Sequence, residues 1–542
     1  MNTIALFLSC VVSGVLADAS VPADVVVYGG TSGGVAAAVQ AARMGRRVVL
    51  IEPSRHLGGL SSGGLGMTDI GNKKAIGGIA REFYQRVYQH YAAKPDAWTR
   101  ETFDEYKKRS GHMVDQDTMW GFEPHAAETV FRRMLAETDV VLVCGERLDL
   151  KNGVRKQGSR ITSIVMESGR EFFGRMFIDA SYEGDLLAKA GVGYTVGREA
   201  NSVFGETLNG VQTRNAKYHQ FEHPTDPYVT PGDPKSGLLP GIHDGGPGEE
   251  GAGDRRVQAY NFRMCLTDVA ENRAAFPKPA NYDPLRYELV LRHLEAGGKL
   301  VVGRPAPMPN RKSDTNNDGA FSSDNIGLNY DYPDGDYVTR ERIVADHRDY
   351  QLGLMWTLAN NPRTPAGLHE QCNQWGLAKD EFQETANWPH QIYVREARRM
   401  VAEYVMTEQN CRGTRKAEDS VGLAAYTMDS HHVQRYVDAE GHARNEGDVE
   451  VGGFPPYPIS YRSIVPKAAE CTNLAAPFCL SASHIAFGSI RMEPVLMVLG
   501  QSAATAAVQA IEQDCDVQGI DYQKLRERLL KDRQMLDWPI RP

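Results

Sequence analysis

The feature that most restricts the fold of this chain is a glycine-rich segment near its N-terminus. Residues 25–28 form a short apolar run typical of a buried parallel strand, and the alanine-rich residues 35–44 favour a helix. A second apolar run at residues 48–51 predicts the next strand. Gly29 and Gly34 lie in the turn between the first strand and the helix. The segment is therefore predicted to be a complete βαβ unit, with a helix start pointing at its glycine-rich turn.

The spacing of the glycines indicates a dinucleotide site. In the usual pattern G-x-G-x-x-G, Gly29 and Gly34 take the first and third positions, Gly30 follows the first, and Thr31 replaces the second glycine. We expect Thr31 to offer the pyrophosphate a hydroxyl hydrogen bond in exchange for the lost close approach. Glu52 follows the second strand, where a carboxylate binds ribose hydroxyls. This acidic residue disfavours NADP and leaves NAD and FAD as alternatives.

The composition excludes several classes of function. The chain of 542 residues has 60 Lys and Arg against 69 Asp and Glu, a net charge of -9, so no basic surface for nucleic acid is expected. A chain of this length holds about two domains. None of the eight cysteines forms a C-x-x-C pair, which disfavours a dithiol redox centre, an iron–sulfur cluster and a zinc ribbon. We predict no metal site.

The first residues favour export. Residues 4–16 are apolar but too short to span a bilayer, and Val15, Leu16 and Ala17 form a sequence that signal peptidase accepts. We predict that residues 1–17 are a signal peptide and that the protein is periplasmic or extracellular, without a membrane span.

The rest of the chain alternates between ordered and loop-rich stretches. Residues 56–66 contain five glycines, which allow a backbone to wrap closely around a large flat ligand. Helices are predicted at residues 80–91, 123–136 and 388–408, strands at 139–148, 160–167 and 172–179, and a long loop or mobile lid at 231–253. No second glycine-rich βαβ fingerprint follows, so a separate nicotinamide domain is not expected.

Three segments resemble a known family. They are YGGTSGGVAAA with IEPSRHLGGLSSGGLG, then FIDASYEGDLLAKAGVGYTVGREAN, then SASHIAFGSIRMEPVLMVLGQSAATAA. Together they resemble the exported bacterial FAD-dependent oxidoreductases labelled xanthan-lyase-related. The resemblance implies FAD and an α/β, glutathione-reductase-like two-domain flavoprotein. Its Rossmann-type FAD-binding domain would comprise residues 22–200 and 465–515, with an inserted substrate or cap domain at 201–464 and a C-terminal tail at 516–542.

The resemblance also implies roles for residues that bind the cofactor. A first group would form the pyrophosphate turn and bind the ribose: Gly29, Gly30, Thr31, Gly34 and Glu52. A second group would run beside the flavin, support the second turn or close the site: Gly58, Gly59, Ser61, Ser62, Asp179, Gly488 and Gln501.

Alcohol oxidation by a flavin needs a base for the hydroxyl proton, and histidine is the commonest choice. We predict His484 as this base, against the alternative that it only holds its loop, with His390 as a further candidate. Asp429 is expected to orient His431 or His432. Arg491 is expected to stabilise an anionic reduced flavin or to pair with Glu493.

We therefore predict an exported FAD-dependent oxidoreductase that oxidises a hydroxyl or related centre of a small polar substrate, possibly a sugar or glycoside, with an unknown electron acceptor. One alternative is a polysaccharide lyase or glycosidase that uses flavin transiently or not at all, and another is a binding protein with a vestigial flavin fold. Residues 314–319 match the start of a calcium loop, but its twelfth position is Asn325. An asparagine-rich turn on the substrate rim is favoured there.

Overall fold

The computed structural model describes residues 23–302 and 307–539, so the predicted signal peptide lies outside the described residues. The helices are α1 Ser32–Arg43, α2 Gly78–Ala92, α3 Phe103–Ser110, α4 Pro124–Ala136, α5 Asp185–Lys189, α6 Asn201–Phe204, α7 Glu288–Glu295, α8 Tyr337–Asn360, α9 Ala366–Gln374, α10 Glu408–Cys411, α11 His484–Ile490, α12 Glu493–Gln513 and α13 Tyr522–Lys531.

The strands are β1 Ala23–Tyr28, β2 Val48–Glu52, β3 Val141–Cys144, β4 Val154–Gln157, β5 Arg160–Val165, β6 Glu171–Asp179, β7 Tyr194–Thr195, β8 Leu266–Thr267, β9 Arg273–Ala274, β10 Lys312–Ser313, β11 Gly376–Ala378, β12 Arg399–Met400, β13 Ser420–Ala424, β14 Met428–Ser430, β15 Gln434–Val437, β16 Ala443–Glu446, β17 Val449–Val451, β18 Tyr457–Ser460 and β19 Leu474–Ala475.

The largest sheet has the strand order β3-β2-β1-β6-β5-β4, with β19 also paired to β6. Strands β1, β2, β3, β6 and β19 run parallel, whereas β5 is antiparallel to β6. Tyr28 at the end of β1 is in register with Ile51 and with Asp179. The carboxyl ends of β1, β2 and β6 therefore meet at one edge, which is where ligands bind in open parallel sheets. The predicted βαβ unit is confirmed as part of a Rossmann-like α/β core.

Helices α1 and α12 cross at a contact that only glycine allows. A Cβ atom added at Gly500 would lie 2.1 Å from the carbonyl oxygen of Gly33, and one added at Gly33 would lie 2.4 Å from that of Leu496. Helix α12 is long and apolar enough to cross a membrane by length and composition, but its membrane-length window is entirely buried within the protein. It therefore packs as the central core helix beside the parallel sheet.

The C-terminal part of the chain returns to this sheet. Leu474 of β19 pairs with Phe177 of β6, and α12 then packs on α1. The described part of the predicted tail, residues 516–539, also contacts the core. Gln534 donates a hydrogen bond to the carbonyl oxygen of Val498, and Leu536 is buried.

Residues between the two parts of the main sheet form smaller sheets and a second hydrophobic cluster. The sheets are β10-β8-β11-β9, β13-β18, β14-β17 and β15-β16. Helix α8, 24 residues long, lies where the sequence analysis predicted no helix, and Asp336 caps it by accepting from the amide of Thr339. The acidic cap before a long run with few helix breakers is the signal that was missed.

The predicted helix at residues 388–408 is wrong. Only β12 and the start of α10 fall there, and the intervening backbone is irregular. The charged side chains of this segment pair with separate parts of the chain: Arg395 with Asp324, Arg398 with Asp185, and Arg399 with Glu199. The segment has helical periodicity, but its arginines form buried ion pairs with carboxylates from three separate parts of the chain. These pairs stabilise an irregular backbone in place of a helix.

Candidate cofactor and active site

A cavity of about 440 Å³ opens at the edge where β1, β2 and β6 end. Its walls include Gly29 and Thr31 of the first turn, Glu52 at the end of β2, Ser181 after β6, and His390 from the segment that was predicted to be helical. The start of α1 lies at the same turn, and helix starts favour phosphate groups. The position and the donors suit a dinucleotide.

Glu52 is held in place by backbone amides. Its Oε2 accepts from the amide of Gly30 at 2.6 Å, and its Oε1 accepts from that of Ser54 at 2.7 Å. Burial raises the pKa of this carboxyl, while the two amides favour its charged form. Each carboxylate oxygen can accept a second hydrogen bond, so the side chain can still bind ribose hydroxyls.

Thr31 has a different role from the one expected. Its hydroxyl donates to the carbonyl oxygen of Ala180 at 2.8 Å and accepts from the amide of Gly34 at 3.2 Å. The hydrogen that we expected Thr31 to offer a pyrophosphate is thus already bonded inside the protein. The side chain caps α1 and ties the first turn to the end of β6. A Cβ atom at Gly34 would lie 1.9 Å from the carbonyl oxygen of Gly29, so this glycine permits the tight turn.

Asp179 supports the second turn through bonds within the protein. Its Oδ1 accepts from the hydroxyl and amide of Ser181, and its Oδ2 accepts from the amide of Leu187 in α5. Burial raises its pKa to about 6. The Asp179 carboxyl therefore stabilises the turn between β6 and α5 beside the cavity, since its hydrogen bonds are made to Ser181 and Leu187 within the protein.

The second glycine-rich segment joins the first turn to the start of α12. The amide of Gly58 donates to the carbonyl oxygen of Gly30 at 2.7 Å, and both Gly58 and Gly59 have positive φ. Ser61 donates to Glu493, the first residue of α12, at 3.0 Å, and Tyr182 donates to the same carboxylate at 2.8 Å. Ser62 instead donates to a nearby carbonyl oxygen, that of Leu57.

His390 lies on the wall of the first cavity. It stacks on His56 with ring centroids 3.8 Å apart, and neither of its ring nitrogens has a hydrogen-bond partner among the described residues. Burial lowers its pKa to about 3, so the ring is neutral at pH 7. An unpartnered imidazole on the wall of a cavity that also contains Glu52 and the first turn is consistent with a bound dinucleotide.

A second cavity, of about 380 Å³, lies beyond the glycine-rich segment. Its polar wall includes Asp69, Arg263, Ser323 and Gln351, and its apolar wall includes Met67. The asparagine-rich turn of residues 314–319 contributes to this wall. Its Asp314, however, accepts from Arg263 at 2.7 Å, so a guanidinium occupies one side of the carboxyl that would begin a calcium loop.

Arg491 lies just before α12, and its charge interacts with that of Asp69, a wall residue of this cavity. Its Nη1 donates to the hydroxyl of Tyr393 at 2.6 Å, and its Nη2 lies 3.6 Å from Oδ2 of Asp429. The expected alternative partner, Glu493, is bound to Ser61 and Tyr182 instead. Burial raises the pKa of Asp429 to about 7; Asp69 and Glu450 add to this increase, and Arg491 and Arg395 oppose it. Asp429 itself lines neither cavity, but its raised pKa places an acidic group of near-neutral pKa close to Asp69 on the wall of the second cavity.

The other three histidines considered for catalysis lie outside both cavities. His484 is buried, with its Nδ1 2.8 Å from Glu396, and it lines neither of the two cavities. His431 has its Nδ1 2.8 Å from Asp324, and burial lowers its pKa well below the usual value. His432 faces the carbonyl oxygens of Tyr218 and His219.

Three further expectations need correction. Asp429 orients neither His431 nor His432, because its partner is Arg491. Gly488 packs on the backbone of Asp429, where a Cβ atom would be 2.4 Å from a carbonyl oxygen. Gln501 lies two turns inside α12, and its side-chain oxygen accepts from the amide of Ile79. These last two residues support the core behind the site instead of closing it.

The fold and the site agree with the family match. The chain belongs to the FAD-dependent oxidoreductase family, whose family model matches residues 24–529. Membership of this family resolves the choice between NAD and FAD in favour of FAD.

Comparison with curated proteins gave no match. Solved structures with local similarity include the Diels-Alderase PyrE3 of pyrroindomycin biosynthesis (14% identity, TM-score 0.21, 32% of this chain and 36% of that one). They also include L-amino acid deaminase from Proteus vulgaris (15%, 0.23, 33% and 53%) and THI4 from Thermovibrio ammonificans (17%, 0.23, 36% and 73%). The chain thus spans about a third to a half of the first two, and the similarity indicates nothing about its substrate.

Proposed function

We propose that this protein oxidises a hydroxyl group, or a related centre, of a small polar molecule such as a sugar or glycoside in the 380 Å³ cavity. The proposal rests on the polar wall of this cavity and on the nearby carboxyl of Asp429, whose pKa is raised to about 7. Asp69, Ser323 and Gln351 supply acceptors and donors for substrate hydroxyls, and Asp429 lies close to Asp69. Among residues 23–302 and 307–539, no aromatic side chain lines this cavity, so hydrogen bonds rather than stacking would select the substrate.

The proposed reaction assigns separate roles to Asp429, Arg491 and His484. FAD, when bound, accepts a hydride. Asp429 takes the proton of the substrate hydroxyl, since its pKa near 7 allows it to be a base at neutral pH. Arg491 holds Asp429 and Tyr393 together and places a positive charge at the start of α12. Glu396 and His484 form a buried pair behind the site, which assigns His484 a positioning role in place of the catalytic role predicted from the sequence.

The same proposal treats the chain as a glutathione-reductase-like flavoprotein with two units. Residues 22–200 and 465–515 would form the FAD-binding unit, and residues 201–464 the substrate unit. The support is topological: β19 returns to the sheet of β1–β6, whereas β8–β11 and β13–β18 form separate small sheets.

The substrate proposal is tested by an anaerobic screen of the purified yellow protein. Sugars, glycosides and simple alcohols are added in turn, and the flavin absorbance is followed. We expect at least one polyhydroxylated compound to bleach the flavin, and dyes or oxygen added afterwards should restore the colour and identify the electron acceptor. Cleavage of a glycoside without any bleaching would contradict oxidation and favour the lyase or glycosidase alternative.

Export is part of the proposal, since the apolar residues 4–16 precede an acceptable cleavage sequence. Mass spectrometry of protein recovered from the periplasm or medium of a host with a secretion pathway should give Asp18 as the first residue. Protein that remains in the cytoplasm with residues 1–17 attached would contradict it.

A further inference from the structure

A third cavity, of about 120 Å³, lies in the middle part of the chain, apart from the two cavities described above. Its walls are the turn at Gly241, the loop that contains Phe321 and Asn325, the face of α8 that carries Tyr350, and Arg435 of β15. The volume is several times that of a water molecule, which occupies about 30 Å³ in the liquid. The cavity is therefore large enough for a small polyatomic ion.

Arg435 brings a charge into this cavity without a counter-ion. The residue is 3% exposed. Its Nε donates to the side-chain oxygen of Asn445 at 3.0 Å, and its Nη2 donates to the carbonyl oxygen of Ala320 at 3.2 Å. Both partners are neutral. Among residues 23–302 and 307–539, no carboxylate lies within ion-pair distance of this guanidinium, and its Nη1 donates no hydrogen bond.

The position of Nη1 shows which N–H groups of the Arg435 guanidinium could donate to a bound ion. A Cβ atom added at Gly241, which is itself a wall residue, would lie 3.8 Å from Nη1. The ring of Phe321 lies 4.8 Å from the guanidinium carbon and covers one face. The free N–H groups of Arg435 therefore lie at the wall formed by Gly241.

The other charges at the cavity cancel. Arg286 and Asp346 both line the cavity. They form a bidentate ion pair in which Nη1 donates to Oδ1 at 2.8 Å and Nη2 donates to Oδ2 at 3.0 Å. The walls thus carry one net positive charge, that of Arg435. Burial lowers the pKa of Arg435 to about 10, so the group is still charged at neutral pH. A buried charge of this kind is costly unless an anion accompanies it.

We propose that this cavity binds a small oxyanion of the sulfate or phosphate class, with Arg435 as its charged ligand. The ion would lie behind the loop of residues 320–326, whose Ser322 and Ser323 line the substrate cavity on the other side. A bound oxyanion would fix the position of this loop and so the polar wall of the substrate cavity. The source of the oxyanion is either a free inorganic ion or an ester group on a larger molecule.

The test is a calorimetric titration of the FAD-loaded protein with sodium sulfate, against sodium chloride at equal ionic strength. We expect saturable binding of sulfate and a weaker or absent response to chloride. Arg435→Met, which keeps a long side chain against the ring of Phe321, should weaken sulfate binding at least tenfold. Arg342→Met, which removes an exposed arginine from helix α8, should bind sulfate as the unmodified protein does. Equal binding of sulfate and chloride, or unchanged binding by Arg435→Met, would overturn the proposal.

A second pair of variants keeps the test decisive if Arg435→Met does not fold. Leu328 is a partly exposed wall residue of the same cavity, 39% exposed, where polar side chains are tolerated more easily. Leu328→Glu should weaken sulfate binding by repulsion, whereas Leu328→Gln should retain it; equal binding by the two variants would contradict an oxyanion in this cavity. A monosaccharide sulfate distinguishes the sources, since its competition with inorganic sulfate indicates an ester group, and its exclusion indicates the free ion.

Discussion

Gly500→Ala is expected to lower the free energy of unfolding by about 3 kcal/mol, the upper end of the cost of overpacking a core. The added Cβ atom would lie 2.1 Å from the carbonyl oxygen of Gly33. Backbone cannot move aside as a flexible side chain can, so α12 must shift away from α1. Because α1 begins at the first glycine-rich turn and α12 begins at Glu493, the shift should also weaken FAD binding. Chemical denaturation and the ratio of flavin to protein absorbance measure the two effects.

Gly367→Ala is the matched control. Gly367 lies in α9 at an ordinary φ, and nothing lies within 4 Å of an added Cβ atom. Alanine favours helix over glycine by about 1 kcal/mol, so this variant should be as stable as the unmodified protein or slightly more stable. A Gly500→Ala protein with the stability and flavin content of the Gly367→Ala protein would show that the two helices can separate without cost.

Asp429→Asn is expected to slow flavin reduction by a proposed substrate by on the order of 10²- to 10⁴-fold, the usual contribution of one general base. The amide cannot accept the hydroxyl proton, while its size keeps the contact with Arg491. In the unmodified protein the rate should fall as the pH decreases through about 7, because the carboxyl is then protonated. Stopped-flow measurements of flavin bleaching under anaerobic conditions, from pH 5 to 9, measure both effects.

Glu450→Gln supplies the control for this pH dependence. Glu450 lies opposite Asp429 in the β14–β17 pair, and its charge helps to raise the pKa of Asp429. Its removal should shift the pH profile to lower pH and leave the maximal rate unchanged. A merely structural Asp429 would give no such shift. If His484→Gln, with FAD retained, abolishes reduction while Asp429→Asn reduces at the normal rate, the base is His484 and the assignment made here is wrong.

Local patterns predicted the elements that hold the dinucleotide turn. The apolar runs of β1 and β2, the alanine-rich α1 and the acid at Glu52 lie within 30 residues of one another. Their hydrogen bonds join close neighbours, such as Gly34 and Thr31, so a short window of sequence contains the information. The role of Thr31 was missed because its hydroxyl donates to Ala180, which is 149 positions away.

The candidate catalytic residues were harder to predict because their neighbours come from distant parts of the chain. Asp69 and Arg263 were not predicted as site residues, because neither belongs to a motif. In the folded protein both line the second cavity. Tyr182 donates a hydrogen bond to Glu493, which is 311 residues away in the sequence. The histidines had the right chemical type for a base, but burial against Glu396 and Asp324 removed His484 and His431 from the two cavities.

The sequence by itself determined the class of core and the acid at the end of β2 beside the first turn, because both depend on periodicity and spacing along one short segment. Only the tertiary structure decided which polar groups share a cavity. Arg491 faces Asp429 and Tyr393 instead of its near neighbour Glu493, and the side chain of Gln501 is bonded to α2. The physical reason is that the partner of a buried charge is chosen by the packing of distant elements, which must satisfy every buried polar group at once.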